Sequence, residues 1–549
     1  MTDTPPTNRR PRWLNRPTLG HTMLTVLVAS YIMAVLNTGF WRRLLEIFPD
    51  ASLPPLLLGI AVWGLTVLSI ELMGPGALQK PVAAVLIVLA ASAAYFERAF
   101  GVLIDREMVR NVMETTTSEA RHLVTVSAVT QIALTGLLPA ALVFWPRVRR
   151  VRRWHHLWRW PVGVAVSVAL VLGALAADYK AMSATLREQR ELMSAYHPGA
   201  TLAALVRYGK EQWVGEPPQA RPIATDAAPG GLLDAADRPV LLVMFVGETL
   251  RAANFGLDGY SRDTTPGLRE RNVVNLSNLS SCGTSTAVSV PCMFSPLTQD
   301  SYSRARFLAQ ENLLDILARV GFDVQWHDNN TGDQRVATRI GWQRVDATLA
   351  PEACEIECTD DVFLPLIEST LATIERNTVL VLHMIGNHGP AYYLRYRPED
   401  AVFEPDCRTA QFADCSVDEI VNAYDNATLQ TDRVLSRTID LLAASDRVLP
   451  AVMFVSDHGE SLGENGLYLH AAPMFMAPEG QTHVPGILWL GAAFAGAMHL
   501  DTGCLGTVAA EPTSHDMVFH TVLGLLDIDT NLHEAALDLT ASCRRTEAS

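Results

Sequence analysis

Five apolar segments in the first third of the chain restrict the possible folds more than any other feature of the sequence. They cover residues 23–40, 53–73, 81–95, 124–145 and 160–177. Four of them approach the roughly 20 apolar residues that a helix needs to cross a bilayer, and the third is shorter. We therefore predict a multi-pass α-helical membrane domain, residues 1–177, with five transmembrane helices.

Arginines on both sides of these segments predict the orientation of the chain. Four arginines lie within the first sixteen residues, and six more lie between residues 147 and 159. Basic loops stay on the cytoplasmic side of a membrane. With five crossings both groups lie inside, and everything after residue 177 lies outside. All eight cysteines follow residue 281, which agrees with an oxidising compartment.

A polar segment between the third and fourth apolar stretches predicts a surface helix near residues 98–122. Asn111, Thr115 and Glu119 are spaced four residues apart, so they share one face of that helix. This spacing by itself favours a solvated amphipathic helix. The alternative is a polar face that holds a lipid headgroup, with Glu119 beside a cationic amine.

The rest of the chain is predicted to be a linker followed by a soluble domain. Residues 178–237 are polar, with a helical signal in their first part and several Pro and Gly turn signals later, which is typical of a linker. The net charge is −15 although arginines crowd the first 160 residues, so the soluble part is acidic. An acidic domain argues against a nucleic-acid partner, because phosphate backbones are bound by Lys and Arg.

Short apolar runs with polar tips predict an α/β domain over residues 238–549. The runs at 240–246, 378–383 and 450–455 read as buried strands, and helical patterns lie between them. Such alternation indicates a doubly wound, mainly parallel sheet, whose functional sites form at the carboxyl ends of the strands. Glu248, His388, Asp457 and His458 follow those ends directly or closely.

These tips supply a candidate metal site and a candidate nucleophile. Glu248, Asp457 and His458 suit zinc, with manganese possible. The alternative is that they are ordinary polar residues of exposed loops. Residues 281–292 form a hydroxyl-rich loop that a disulfide between Cys282 and Cys292 would close. A metal would activate one hydroxyl there, and a helix start would favour phosphate oxygens. The residues alone leave Thr284, Ser285 and Thr286 open as the nucleophile.

Three further histidines, His383, His388 and His470, lie in motifs of their own. Each one alone is most often structural. Near a metal they suit a second ion or a substrate phosphate.

Four motifs together carry a family resemblance. They are 247–251 (GETLR), 282–294 (CGTSTAVSVPCMF), 383–392 (HMIGNHGPAY) and 456–464 (SDHGESLGE). They resemble the lipid A phosphoethanolamine transferases, which include the mobile colistin-resistance enzymes and belong to the alkaline phosphatase and sulfatase superfamily. The resemblance extends over nearly the whole chain and includes the five spans and the surface helix.

The resemblance implies a zinc-dependent transferase in the bacterial inner membrane, with its catalytic domain in the periplasm. Thr286 is then the nucleophile, and zinc is held by Glu248, Thr286, Asp457 and His458, with one or two zinc ions in all. Phosphoethanolamine passes from phosphatidylethanolamine through a phosphothreonine to a phosphate of lipid A in lipopolysaccharide, which gives resistance to polymyxin. His383, His388 and His470 bind the transferred group or a second zinc. Asn111, Thr115 and Glu119 match headgroup contacts.

One segment departs from the family pattern. The family usually has a lysine, often flanked by cysteines, after the turn that here contains Asn330. Gln334 stands at that position, and the flanking cysteines are absent. We expect Asn330 and Gln334 to bind the substrate. Arg335 offers a positive charge in another direction. The departure concerns substrate contacts and leaves the metal ligands unchanged.

The resemblance also bears on the other cysteines and on the alternatives. We expect Cys354 to pair with Cys358 and Cys407 with Cys415, which leaves Cys504 and Cys543 as the last two. We expect a monomer. The alternatives are transfer to Kdo or core heptose, transfer of phosphoglycerol, a membrane-anchored phosphatase or sulfatase, and a scaffold with a structural metal.

Overall fold

The computed structural model describes residues 16–49, 53–114, 117–149, 153–213 and 220–545. They divide into two compact units. The first contains the chain up to Val109 together with Val124–Glu211, and the second contains Arg110–Leu123 together with the chain from Gln212 onward. Each unit has its own apolar core.

The first unit is helical. Its main helices are His21–Tyr31, Thr38–Ile47, Pro54–Met73, Gln79–Phe100, Val126–Ile132, Leu138–Leu142, Arg153–Ala177, Tyr179–Glu188, Arg190–Ser194 and Gly199–Trp213, with π-helical turns at Ile32–Leu36 and Ala133–Leu137. The helix Arg106–Glu114 starts here. Buried side chains of several of these helices form its core.

Three helices of this unit are long and apolar enough to cross a membrane: Pro54–Met73, Gly76–Phe100 and Trp158–Ala177. A fourth candidate is the pair His21–Leu36 and Thr38–Ile47, which is bent by 68°. The described residues thus give three or four candidate spans, and the predicted number of five is not confirmed.

Two local features explain the lower number. At the bend, the side-chain amide of Asn37 donates to the carbonyl of Ile32 (3.0 Å) and to that of His197 (2.7 Å), so it satisfies backbone groups where the helix breaks. The predicted fourth span corresponds to the apolar helix Val126–Leu142, which is shorter than the other three.

The segment predicted as a linker contains regular structure in its first part. Residues up to Glu211 form three helices and belong to the first unit. The Tyr196 ring is buried there, and its hydroxyl lies 2.8 Å from that of Thr66.

The second unit is built on a seven-stranded sheet. Its strands, in chain order, are β1 (Val240–Gly247), β2 (Val274–Asn275), β3 (Asp323–Asp328), β4 (Gln343–Arg344), β5 (Thr378–His383), β6 (Leu449–Ser456) and β7 (Gly486–Leu490). The spatial order is β2-β7-β6-β1-β5-β3-β4. Five of the strands pair in parallel. At one edge β7 pairs antiparallel with β6, and β2 pairs antiparallel with β7, so β2 runs in the same direction as the five. This confirms a mainly parallel α/β sheet.

Helices that precede, connect and follow the strands accompany the sheet. They are Gly231–Asp234, Pro266–Arg269, Thr286–Met293, Arg304–Leu308, Leu313–Arg319, Phe363–Thr373, Val417–Ala443, Glu479–Thr482, Ala492–Ala497, Thr502–Val508 and Asp516–Leu525, and Thr117–Leu123 belongs to the same unit. Every residue of β1, β5 and β6 is buried, as expected for strands covered on both faces. The longest helix begins at a capping box formed by Ser416 and Glu419.

Four disulfides join cysteines of the second unit: Cys282–Cys292, Cys354–Cys358, Cys407–Cys415 and Cys504–Cys543. Each closes a loop within the second unit, and none of the eight cysteines is free. This arrangement fits a domain that matures in an oxidising compartment.

Candidate active site

The register of two parallel strands brings two acidic side chains together. Gly247 at the end of β1 lies opposite Ser456 at the end of β6. The next residues, Glu248 and Asp457, therefore leave the sheet side by side, and both are buried. The backbone N–H of Thr249 donates to Oδ1 of Asp457 (3.1 Å) and fixes this carboxylate against the end of β1.

A glycine of another loop, Gly386, packs against the turn that follows β1. Gly386, in the loop after β5, has φ +48°, and a Cβ there would lie 2.7 Å from the carbonyl oxygen of Glu248. Only glycine combines this conformation with so close an approach. The buried Asp360 carboxylate accepts the backbone N–H groups of Ile385 (3.0 Å) and Gly386 (2.9 Å) and holds this loop in place.

Thr286 reaches the same point from another direction. It is the first residue of the helix Thr286–Met293, and its side chain is partly exposed. Its hydroxyl lies 3.1 Å from Oε2 of Glu248 and 3.3 Å from Nε2 of His458. The other candidate threonine, Thr284, donates its hydroxyl to the carbonyl of Ala472 (2.7 Å). The geometry thus brings Thr286, and not the Thr284 hydroxyl, to the acidic pair.

The residues around Thr286 have the donor set of a divalent metal site. Ligand atoms of Glu248, Asp457 and His458 lie within 4.8 Å of one another, and this is the one such group among the described His, Cys, Asp and Glu residues. Oδ2 of Asp457 is buried and has no hydrogen-bond donor in the described structure. An uncompensated carboxylate oxygen in a buried site is costly unless a cation binds it. The residues therefore fit a metal.

The orientation of His458 also fits a metal ligand. Its Nδ1 lies 2.9 Å from the carbonyl of Gly459. A proton on Nδ1 makes this bond and leaves the lone pair of Nε2 directed at Glu248, Asp457 and Thr286. Burial, followed by the charge of His470, lowers the pKa of His458 well below its ordinary value. Burial raises the pKa of Asp457 to about 6, which is the penalty that a bound cation would remove.

Asn330 supports Glu248 from the neighbouring loop. Its side-chain amide donates to Oε2 of Glu248 (2.6 Å) and to the carbonyl of Met384 (2.9 Å). Its own backbone N–H is held by Asp328 at the end of β3 (2.9 Å). Asn330 was predicted as a substrate contact, and in the structure its amide orients a predicted metal ligand.

His383 lies behind this layer. It is fully buried, and Nδ1 is 2.8 Å from Oδ2 of Asp328 and 3.0 Å from the carbonyl of Gly332. Burial opposes charge on His383, but the bond to Asp328 raises its pKa above the ordinary value. His383 and Asp328 therefore form a buried hydrogen-bonded pair behind the acidic site.

His388 and His470 lie nearer to the mouth of the site. The His470 ring centroid is 4.5 Å from that of His458 and 5.6 Å from that of His388. Nδ1 of His470 lies 3.4 Å from the buried carboxylate of Glu460. Burial, followed by the charge of His470, lowers the pKa of His388 well below its ordinary value. These two histidines and His458 form one cluster, whereas His383 points to Asp328.

The departure from the family pattern has a distinct local structure. Gln334 and Arg335 are both left-handed, with φ of 49° and 74°. Gln334 is buried, and its amide donates to the hydroxyl of Thr331 (3.1 Å). Arg335 is exposed.

The predicted headgroup residues are described only in part. Asn111 lies half-buried in the helix Arg106–Glu114 and belongs to the second unit. Thr115 lies outside the described residues. Glu119 belongs to the helix Thr117–Leu123, and its side chain is also outside the described part.

Sequence reasoning missed several residues that shape the site. His515 is fully buried between the Thr286 loop and β6: its Nδ1 accepts the backbone N–H of Cys282 (3.1 Å), and its Nε2 donates to the carbonyl of Ser456 (3.0 Å). Asp328, Asp360 and Glu460 were missed as well. Glu460 and Asp328 had a sequence signal, since each lies within a motif or at a strand end. His515 had none, because only the fold brings it to Cys282.

Two family models match the chain and correspond to its two parts. Residues 240–528 match the family described as Sulfatase. Residues 62–213 match the family described as Phosphoethanolamine transferase EptA/EptB.

Full-length relatives extend this match. The chain is 36% identical to phosphoethanolamine transferase EptA of Escherichia coli K12, over 97% of this chain and 99% of that protein. It is 32% identical to phosphatidylethanolamine transferase Mcr-1 of Escherichia coli, over 92% and 95%. The structure of the integral membrane protein lipooligosaccharide phosphoethanolamine transferase A from Neisseria meningitidis matches with a TM-score of 0.91 and 34% identity, over 96% of this chain and 100% of that chain. The chain is therefore a membrane enzyme of the EptA-type phosphoethanolamine transferase family, with a soluble unit of the alkaline phosphatase and sulfatase type.

Proposed function

We propose that the protein transfers phosphoethanolamine from phosphatidylethanolamine to a phosphate of lipid A in lipopolysaccharide, through a phosphothreonine at Thr286. The observation that carries this proposal is the position of the Thr286 hydroxyl, which starts a helix and lies 3.1 Å from Glu248 and 3.3 Å from His458. A hydroxyl in that place can lose its proton to Oε2 of Glu248 and present its oxygen to a phosphorus atom.

In the first half-reaction, the Oγ1 atom of Thr286 attacks the phosphorus of phosphatidylethanolamine. The bond from phosphorus to the glycerol oxygen breaks, and diacylglycerol leaves with a proton. The backbone N–H groups at the start of the helix Thr286–Met293 favour the phosphate oxygens. His388 and His470, on the open side of the site, bind the transferred group.

In the second half-reaction, a phosphate oxygen of lipid A attacks the phosphothreonine. The bond between phosphorus and Oγ1 breaks, and Thr286 regains its proton. Added phosphoethanolamine reduces the negative charge of the lipid, so the activity confers resistance to polymyxin and other cationic peptides.

The ligand set fits zinc, held by Glu248, Thr286, Asp457 and His458. When bound, zinc lowers the pKa of a coordinated hydroxyl and neutralises charge on the reacting oxygens. The proposal includes a second zinc or the transferred group at His383, His388 and His470. The proximity of His388 and His470 supports this part. His383 bonds to Asp328 through Nδ1, so only its Nε2 is left for a ligand.

The chain is proposed to lie in the bacterial inner membrane with five spans, formed by residues 1–177, and with its catalytic domain, residues 238–549, in the periplasm. The bent helix pair and the helix Val126–Leu142 would then be the two spans beyond the three long helices. Asn111, Thr115 and Glu119 would hold the donor headgroup.

Mass spectrometry of the envelope lipids of cells that express the chain tests the function. We expect a phosphoethanolamine adduct on lipid A phosphate, and loss of that adduct in cells that express Glu119→Ala. An adduct on Kdo or heptose would show that the acceptor is a core sugar and not lipid A. Phosphoethanolamine released as free phosphate ester, with no lipid adduct, would favour a hydrolase.

A further inference from the structure

A series of polar contacts joins the helix Thr117–Leu123 to the loop that carries His388. Nε2 of His122 lies 2.7 Å from Oε1 of Glu357. The other carboxylate oxygen of Glu357 pairs with the guanidinium of Arg395 (2.9 Å). The Nε–H of Arg395 donates to the backbone carbonyl of His388 (2.9 Å). All four residues belong to the second unit.

Glu357 lies at the centre of this series of contacts and is held by its surroundings. It lies inside the five-residue loop that the Cys354–Cys358 disulfide closes. Asn329 donates to the carbonyl of Cys358 (3.1 Å), and the next residue, Asn330, contacts Glu248. The disulfide loop is thus anchored to the same segment that orients a predicted metal ligand.

The charges of Glu357 and Arg395 complement each other. Arg395 is almost completely buried, and a buried guanidinium requires a carboxylate partner. Burial alone would raise the pKa of Glu357, but the contacts with His122 and Arg395 lower it to about 2, so the carboxylate stays charged. Among the described residues, His122 is the partner of Glu357 that comes from the helix Thr117–Leu123.

We propose that Glu357 is a positioning residue. Through His122 it fixes the helix Thr117–Leu123 relative to the loop that carries His388. The proposal rests on the proposed function, because Asn111, Thr115 and Glu119 lie on the chain segment that ends in this helix. His122 and Glu357 do not touch the reacting atoms. They set the distance between the place where the donor amine is held and the place where its phosphate reacts.

The contact predicts a separation between two substrates. A phospholipid donor needs both the helix and the metal centre, whereas a small soluble ester of phosphoethanolamine needs only the metal centre. Loss of the contact should therefore raise KM for phosphatidylethanolamine by about tenfold. Its kcat, and the turnover of the soluble ester, should change by less than about twofold.

The test uses the full chain in phosphatidylethanolamine vesicles, with four variants. His122→Ala removes the contact and leaves the Glu357–Arg395 pair intact, so it avoids an unpaired buried charge. His122→Gln keeps an N–H donor and should restore much of the affinity. Glu357→Gln also removes the carboxylate partner of the buried Arg395, so it should raise KM for the phospholipid at least as much as His122→Ala does. The double variant should be no worse than Glu357→Gln alone. Glu355→Gln removes the same charge from an exposed position of the same loop and should behave as the wild type.

A second measurement does not depend on activity. Hydrogen exchange of residues 117–123 should be faster in His122→Ala and Glu357→Gln than in Glu355→Gln. Unchanged KM in both contact variants, or equal losses by His122→Ala on the phospholipid and the soluble ester, would overturn the inference. If the wild type transfers nothing from phosphatidylethanolamine, the proposed function fails, and the exchange rates alone then decide whether the contact fixes this helix.

Discussion

The hydroxyl of Thr286 lies 3.1 Å from Oε2 of Glu248, and the two residues are 38 positions apart in the chain. One residue begins a helix and the other follows the end of β1. Their contact makes Thr286 the hydroxyl that a metal bound by Glu248 would meet.

Thr286→Ala should abolish transfer while the protein still folds. The side chain is partly exposed, so its loss leaves no large cavity, but no oxygen remains to form the phosphothreonine. Mass spectrometry of peptide 282–294 after incubation with phosphatidylethanolamine should find the adduct in the wild type only. Thr284→Ser, which keeps a hydroxyl near Ala472, is the control. A lipid adduct of normal intensity in Thr286→Ala would refute the nucleophile assignment.

Asn330→Ala should weaken metal binding more than it weakens folding. The variant removes the amide that donates to Glu248 at 2.6 Å, and loss of a hydrogen bond that orients a ligand typically costs about 10- to 100-fold in metal affinity. Competition with a chelator measures the change. Asn329→Ala, which disturbs the neighbouring loop but not Glu248, is the comparison; equal losses in both would contradict this role.

The free energy of unfolding should decrease as the pH is lowered, because the buried His515 ring then takes up a proton. Burial lowers the pKa of this ring to about 4, whereas in the unfolded chain it is about 6.5. Between these values the unfolded state binds more protons, so this contribution is intact above about pH 6.5 and is lost as the pH falls towards 4. The unfolding free energy of His515→Gln, measured at pH 7 and pH 4.5, should fall less than that of the wild type. Parallel decreases would contradict the assignment.

Removal of the Cys282–Cys292 disulfide should lower both stability and activity. The bridge closes a loop with a sequence separation of 10, for which chain entropy gives about 2–3 kcal/mol. Because the loop carries Thr286, the double serine variant should also transfer more slowly. The Cys504→Ser/Cys543→Ser variant should lose stability and keep its rate at a temperature where it is folded. Normal transfer by the Cys282→Ser/Cys292→Ser variant would show that the bridge does not position Thr286.

Gln334→Lys should lower KM for the phospholipid donor by about fivefold, because a charge-assisted contact to phosphate is stronger than a neutral one. Steady-state transfer from phosphatidylethanolamine measures it. Arg335→Gln should have little effect, since Arg335 is exposed. A larger loss in Arg335→Gln than gain in Gln334→Lys would show that Arg335 supplies the charge here.

The sequence by itself determined much of this site, because its chemistry follows strand ends that composition reveals. Continuous apolar runs predicted β1, β5 and β6, and Glu248, Asp457 and His458 follow them at once. The motifs identified the family. The predicted number of five spans is not confirmed, and apolar length does not show the break at Asn37, where side-chain hydrogen bonds replace those of the helix.

Only the tertiary structure decided which side chains meet. Strand register placed Glu248 beside Asp457, and a helix from elsewhere in the chain brought Thr286 to them. His383 was predicted beside His388, yet its ring bonds to Asp328 on another strand. His515 and the His122–Glu357 contact join residues 233 and 235 positions apart. Periodicity and local motifs describe short segments, whereas these contacts depend on how distant segments pack.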